Sequence, residues 1–91
     1  MGLDETASNI SKEIDSTRNL LGEMGELVLR LIYQGCRLDD ELTRFGSITQ
    51  ECLDVRITVL RELDLVRDDD DGYEITPAGE KYLEIALGWN I

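Results

Sequence analysis

Four consecutive carboxylates, Asp68 to Asp71, with Gly72 behind them, form the densest chemical cluster in this chain. Oxygen ligands at that density suit a hard cation such as calcium. If Gly72 were the sixth residue of an EF-hand loop, however, position one would be Arg67 and position twelve Ala78, and that loop needs an acid at each. The run therefore reads as a solvated acidic turn. Cys36 and Cys52 lie too far apart for a Cys-x-x-Cys motif and read as two small buried apolar residues. The chain has no histidine, so the commonest general base and the commonest metal ligand are missing. No serine has a histidine to activate it, and no glycine-rich phosphate loop is present. The sequence predicts no enzyme, no metal and no cofactor, and points to a protein that acts by binding.

The charge balance narrows the setting. There are 20 acidic and 9 basic residues, a net charge of −11, and the only lysines are Lys12 and Lys81. Many solvated carboxylates with few lysines resembles the composition of haloarchaeal cytoplasmic proteins, which stay soluble in molar salt. There the Debye length is only about 3 Å and self-repulsion is nearly screened out. The competing readings are an acidic partner surface or a DNA mimic. Ninety-one residues make one domain with a thin core. No apolar run approaches the length of a membrane span, and the polar, acidic stretch from Met1 to Asp15 does not read as a secretory signal. A cytoplasmic location is expected.

The elements that must position any binding residues follow from periodicity. Leu3, Ala7, Ile10, Ile14, Thr17, Leu21, Met24, Val28 and Leu31 alternate by four and three, a narrow helical seam. Gly22 and Gly25 are weak helix formers. One helix is expected to about Leu21 and a second from Met24 to Gln34, closed by Gly35. A short extended piece, Cys36 to Leu38, comes next. Asp39 is expected to cap a short helix with Leu42 and Phe45 as its apolar positions, and Gly46 and Ser47 to make a turn. Thr49 then caps a periodic run, Leu53, Ile57, Leu60 and Leu63, flanked by Val55 and Val59. Leu65 to Arg67 read as a strand, Asp68 to Gly72 as a loop, and Tyr73 to Thr76 as the returning strand. Thr76 with Pro77 opens a last helix carrying Tyr82, Leu83, Ala86 and Leu87, ended by Gly88.

This is a mainly α chain with a small β-hairpin (α+β). The segment Leu42 to Val66, with Ile48 at the far side of the turn and Leu53, Ile57 and Leu60 as inward positions, resembles the helix-turn-helix of winged-helix transcription regulators of the MarR and PadR type. Asp64-Leu-Val66 stands where such families often have Gly-Leu-Val. Tyr73-Glu-Ile-Thr-Pro-Ala-Gly79 is similar to their Tyr-x-Leu-Thr-x-x-Gly, which closes the wing. The resemblance covers about Leu27 to Leu83. It implies a winged helix-turn-helix with extra N-terminal and C-terminal helices, and double-stranded DNA as partner.

On that resemblance, Arg44, Gln50, Arg56, Thr58 and Arg61 are the expected DNA contacts, and Arg67, Asp69, Asp70 and Gly72 belong to the wing. The charges depart from the pattern. From Thr49 to Leu63 two arginines face Glu51, Asp54 and Glu62, and the wing carries four aspartates where a basic residue commonly reaches a groove. The alternative is therefore a winged-helix module that binds protein through its acidic wing or its helical seam. Residues 1–22 are expected as an N-terminal dimerisation helix and 23–91 as the winged-helix domain. Ile10, Ile14, Leu21, Leu87 and Trp89 are the expected homodimer contacts.

Overall fold

A computed structural model of the chain describes residues 2–88, with side chains described from residue 16 onward. Their elements run α1 (Gly2–Tyr33), α2 (Asp39–Gly46), α3 (Gln50–Glu62), β1 (Val66–Asp69), β2 (Gly72–Ile75) and α4 (Pro77–Leu87). The expected mainly helical architecture with one small hairpin is what forms.

Gly22 sets the course of α1. Its backbone (φ 68°, ψ 178°) lies in a region that essentially only glycine occupies, so the helix breaks there into two segments. The second segment ends as expected at Gly35 (φ 112°), where Cys36 N–H reaches Leu31 C=O (2.9 Å) and Gly35 N–H reaches Ile32 C=O (3.1 Å). That pair of bonds satisfies carbonyls left over at the helix end.

The start of α2 differs from expectation. Leu38, not Asp39, is the N-cap, and it has no side-chain acceptor to offer. Glu41 instead turns back and accepts from the N–H groups of Arg37 (3.1 Å) and Leu38 (3.2 Å). This is one half of a capping box. Asp39 is free of capping and accepts from the Tyr73 hydroxyl at 2.6 Å. At the other end, buried Gly46 lies against α1, and Ser47 takes the left-handed turn conformation (φ 55°). Leu42 is buried, but Phe45 is 62% exposed, contrary to its expected core role.

Thr49 caps α3 as predicted, its hydroxyl accepting from Cys52 N–H at 3.1 Å. Leu53, Ile57 and Leu60 turn inward; Val59 is half-buried and Val55 is 58% exposed. Beyond the helix Asp64 adopts φ 59°, a left-handed conformation that favours glycine. Leu65 N–H bonds back to Leu60 C=O (2.9 Å) and Asp64 N–H to Arg61 C=O (3.0 Å).

The hairpin is antiparallel, with Val66 opposite Ile75, Arg67 opposite Glu74, Asp68 opposite Tyr73 and Asp69 opposite Gly72. The first strand thus starts later and runs further than expected, and the loop shrinks to Asp70 and Asp71. Asp68 and Asp69 are strand residues, and the positive φ the turn requires falls on Gly72 (120°). The extended piece edges this hairpin. Tyr73 N–H donates to Arg37 C=O (2.8 Å), and Arg37 Nε donates to Tyr73 C=O (2.9 Å). A Cβ at Gly72 would collide with the Arg37 carbonyl, so glycine also permits this approach.

Thr76 caps α4 through Gly79 N–H (3.0 Å), with Pro77 in the first turn, and Gly88 (φ 69°) ends it. One core joins all four helices to the start of the hairpin: Leu21, Val28, Leu29 and Ile32 of α1, Leu42, the inward row of α3, Leu65 and Val66, and Tyr82 and Leu83 of α4. Among the described residues no helix is long and apolar enough to cross a membrane.

Candidate nucleic-acid interface

Because Leu53, Ile57 and Leu60 hold one side of α3 in the core, the opposite side faces solvent. It presents Gln50, Glu51, Asp54, Val55, Thr58, Arg61 and Glu62, all exposed. Gln50 Nε2 donates to Asp54 Oδ1 at 2.9 Å, one helical turn on. The Thr58 hydroxyl donates to Asp54 C=O at 2.9 Å. Arg61 reaches off the helix to Asp68 (2.9 Å), and its guanidinium lies 5.8 Å from the Tyr73 ring centroid, within cation–π range.

Arg56, expected near the edge of this face, is half-buried on the flank of α3, and its buried Nε has no hydrogen-bond partner among the described residues. Arg44 is exposed in the last turn of α2 and makes no ion pair among the described residues. Of the five side chains expected to contact DNA, the structure groups Gln50, Thr58 and Arg61 on one face, puts Arg44 on the neighbouring helix, and leaves Arg56 half-buried at the edge of that face.

The hairpin is laced by ion pairs. Arg67 meets Glu74 at 3.0 Å across the register, and this contact raises the arginine's pKa. Asp69 pairs with Arg37 at 3.1 Å and accepts from Asp70 N–H at 2.9 Å. Asp70 and Asp71 stand exposed at the tip. Arg37 was not expected in the site. Its signal was a lone basic residue in the extended piece, which only matters once that piece is known to edge the hairpin. Arg37, Asp39, Arg61, Asp68, Asp69 and Tyr73 border one open cleft of about 430 Å³. Burial and the bond to Asp39 push the Tyr73 hydroxyl up to about 12, so it stays a neutral donor.

A second open cavity, about 770 Å³, lies at the Gly22 break, bordered by Arg18, Met24, Leu27, Arg30 and Leu87 among others. Here the first segment of α1 is tied to α4. Arg18 donates to Ala86 C=O (2.8 Å) and lies 3.7 Å from Glu26, which accepts from the Tyr82 hydroxyl (3.0 Å). Burial and that bond push Tyr82 up to about 12. Of the expected dimer contacts, Leu21 is 1% exposed and belongs to the chain's own core, so it is corrected to a core residue. Leu87 is half-buried at the cavity. The side chains of Ile10 and Ile14, and Trp89, lie outside the described residues.

Neither a protein-family model nor a curated protein matches the chain.

Proposed function

We propose that the chain is a DNA-binding winged helix-turn-helix protein, a transcription regulator of a salt-rich cytoplasm. In this reading α2 and α3 are the helix-turn-helix, β1 and β2 the wing, and the first segment of α1 pairs two copies for a two-part site. The observation that carries it is the exposed row Gln50, Asp54, Thr58 and Arg61, held outward by an apolar row that anchors α3 from behind. Three members match base edges: amide for adenine, hydroxyl for several, and carboxylate for the amino group of cytosine. Arg61, which reaches off the helix toward the hairpin, suits the phosphate backbone instead. Val55 beside them can meet a thymine methyl. An acid on a reading face is therefore compatible with DNA, whereas acids on the wing weaken phosphate contact.

The test is binding of genomic fragments at about 2 M potassium chloride, where screening is nearly complete. Replacing Gln50 and Arg61 with Ala removes a base contact worth about 1–3 kcal/mol and a phosphate contact, so affinity for the selected fragments should fall at least about tenfold. Equal binding by both proteins, or no binding by the parent, defeats the proposal.

The exposed Phe45 and Val55 favour a second reading, a protein-binding module. Phe45→Ser and Val55→Ser would then abolish partner binding, and the polar row would be dispensable.

A further inference from the structure

The ion pairs around the hairpin cleft carry an inference that rests on the DNA-binding reading. Arg37 and Arg61 come from different elements, yet each ends on a carboxylate of the same strand, Asp69 at 3.1 Å and Asp68 at 2.9 Å. Both pairs border one open cleft. The four side chains are between 35% and 61% exposed, so the pairs are wet, and exposed pairs hold weakly. A carboxylate and a phosphate oxygen accept from guanidinium in the same forked geometry. Asp70 and Asp71, next in the chain, form no ion pair among the described residues.

We propose that Asp68 and Asp69 are internal stand-ins for DNA phosphates, so that binding exchanges carboxylate for phosphate on Arg61 and Arg37. Two consequences follow. In dilute salt the hairpin competes with DNA for its own arginines and holds affinity down. On binding, the freed carboxylates gather cations while the DNA releases them. The fall of affinity with salt is then shallower than the usual slope of about −0.9 per phosphate contact. The exchange makes DNA binding tolerant of salt at the expense of affinity in dilute buffer.

The discriminating comparison is between two variants of equal charge, Asp68→Asn/Asp69→Asn and Asp70→Asn/Asp71→Asn. Both remove two negative charges from the hairpin, but only the first frees arginines. The probe is a fluorescently labelled mixed-sequence duplex of about two helical turns, with anisotropy measured from about 0.1 to 2 M potassium chloride. The first variant should bind at least about tenfold tighter than the second at the low end and show the steeper salt slope, the two converging at the high end. Equal gains would mean general charge repulsion and overturn the exchange while leaving DNA binding intact. No binding by any of the three proteins overturns both readings.

Should the first variant fail to fold, the unmodified protein still decides. As duplex is added, the Nε–H resonances of Arg37 and Arg61 should shift together with the carboxylate carbons of Asp68 and Asp69. Arginine shifts without carboxylate shifts, or no shift in either set, overturn the exchange.

Discussion

Asp64 shows what a single residue reveals and hides. The sequence carries no local sign of its backbone conformation, and the structure gives it a left-handed φ of 59°, a conformation that favours glycine. A left-handed conformation costs a non-glycine residue roughly 1–2 kcal/mol, though aspartate is among the more tolerant. Its carbonyl also accepts from the Thr76 hydroxyl at 2.6 Å, a contact any residue there could make. Asp64→Gly should therefore stabilise the fold by about 0.5–1 kcal/mol after the added freedom of the unfolded chain is subtracted. Asp64→Ala should destabilise by a similar amount. Urea unfolding of the three proteins measures both, and a less stable glycine variant would refute the strain argument. Thr49 and Thr76-Pro77 were legible because capping is a local code. Asp39 was not. Its local signal as a cap lost to a tertiary partner, the Tyr73 hydroxyl, that lies 34 residues away in the chain.

Among the elements, α3 was readable because it has one apolar side, and a clear period follows from a single buried face. The hairpin was readable as a change of period, but its burial does not alternate along either strand, so its bounds were not. α2 was harder. In eight residues there is little period to read, so Phe45 looked like core and is solvent-facing. The face of α3 was legible as a row of polar positions with Arg56 at its edge, but how far that edge is covered was not, because coverage of a flank depends on the neighbouring elements. The seam along α1 was misread in a similar way. Its regular spacing continues through Leu21, but the break at Gly22 turns that residue into the core, with Arg18 fastened to α4. The proposed pairing segment therefore cannot rest on Leu21, and a truncation that tests it must leave that residue in place. A chain lacking residues 1–15 should keep its fold and sediment as a monomer at high salt while the full chain sediments as a dimer. A chain cut at Gly22 loses a fully buried leucine side chain and should be destabilised by about 2–5 kcal/mol. A monomeric full-length chain would remove the pairing proposal.

At the scale of the whole molecule, folding brings two acidic runs together. Asp39 to Glu41 begins α2 and Asp68 to Asp71 makes the hairpin, and members of both border the same cleft with Arg37 and Arg61 between them. Repulsion within either run exists in the unfolded chain too and cancels. Repulsion between the runs does not, because only folding makes them neighbours. Two unit charges about 10 Å apart in water repel by about 0.4 kcal/mol before screening. About a dozen such cross-run pairs amount to roughly 5 kcal/mol, reduced to about 2 kcal/mol at a Debye length of about 10 Å and to almost nothing at about 3 Å. Salt also weakens the ion pairs of Arg37 and Arg61, but each is exposed and worth about 1 kcal/mol at most. The remaining excess of acid in a chain of net charge −11 adds to the repulsive side. The balance favours stabilisation by salt. For a domain of this size about 1 kcal/mol moves the melting temperature by about 4–8 °C. Raising potassium chloride from about 0.1 to 1 M should therefore raise it by about 5–15 °C. Replacing Asp40 and Asp70 with Asn should raise the low-salt melting temperature and flatten the climb, since it removes one charge from each run. A melting temperature independent of salt, or one that falls, would mean that the acidity serves a partner rather than the solvent.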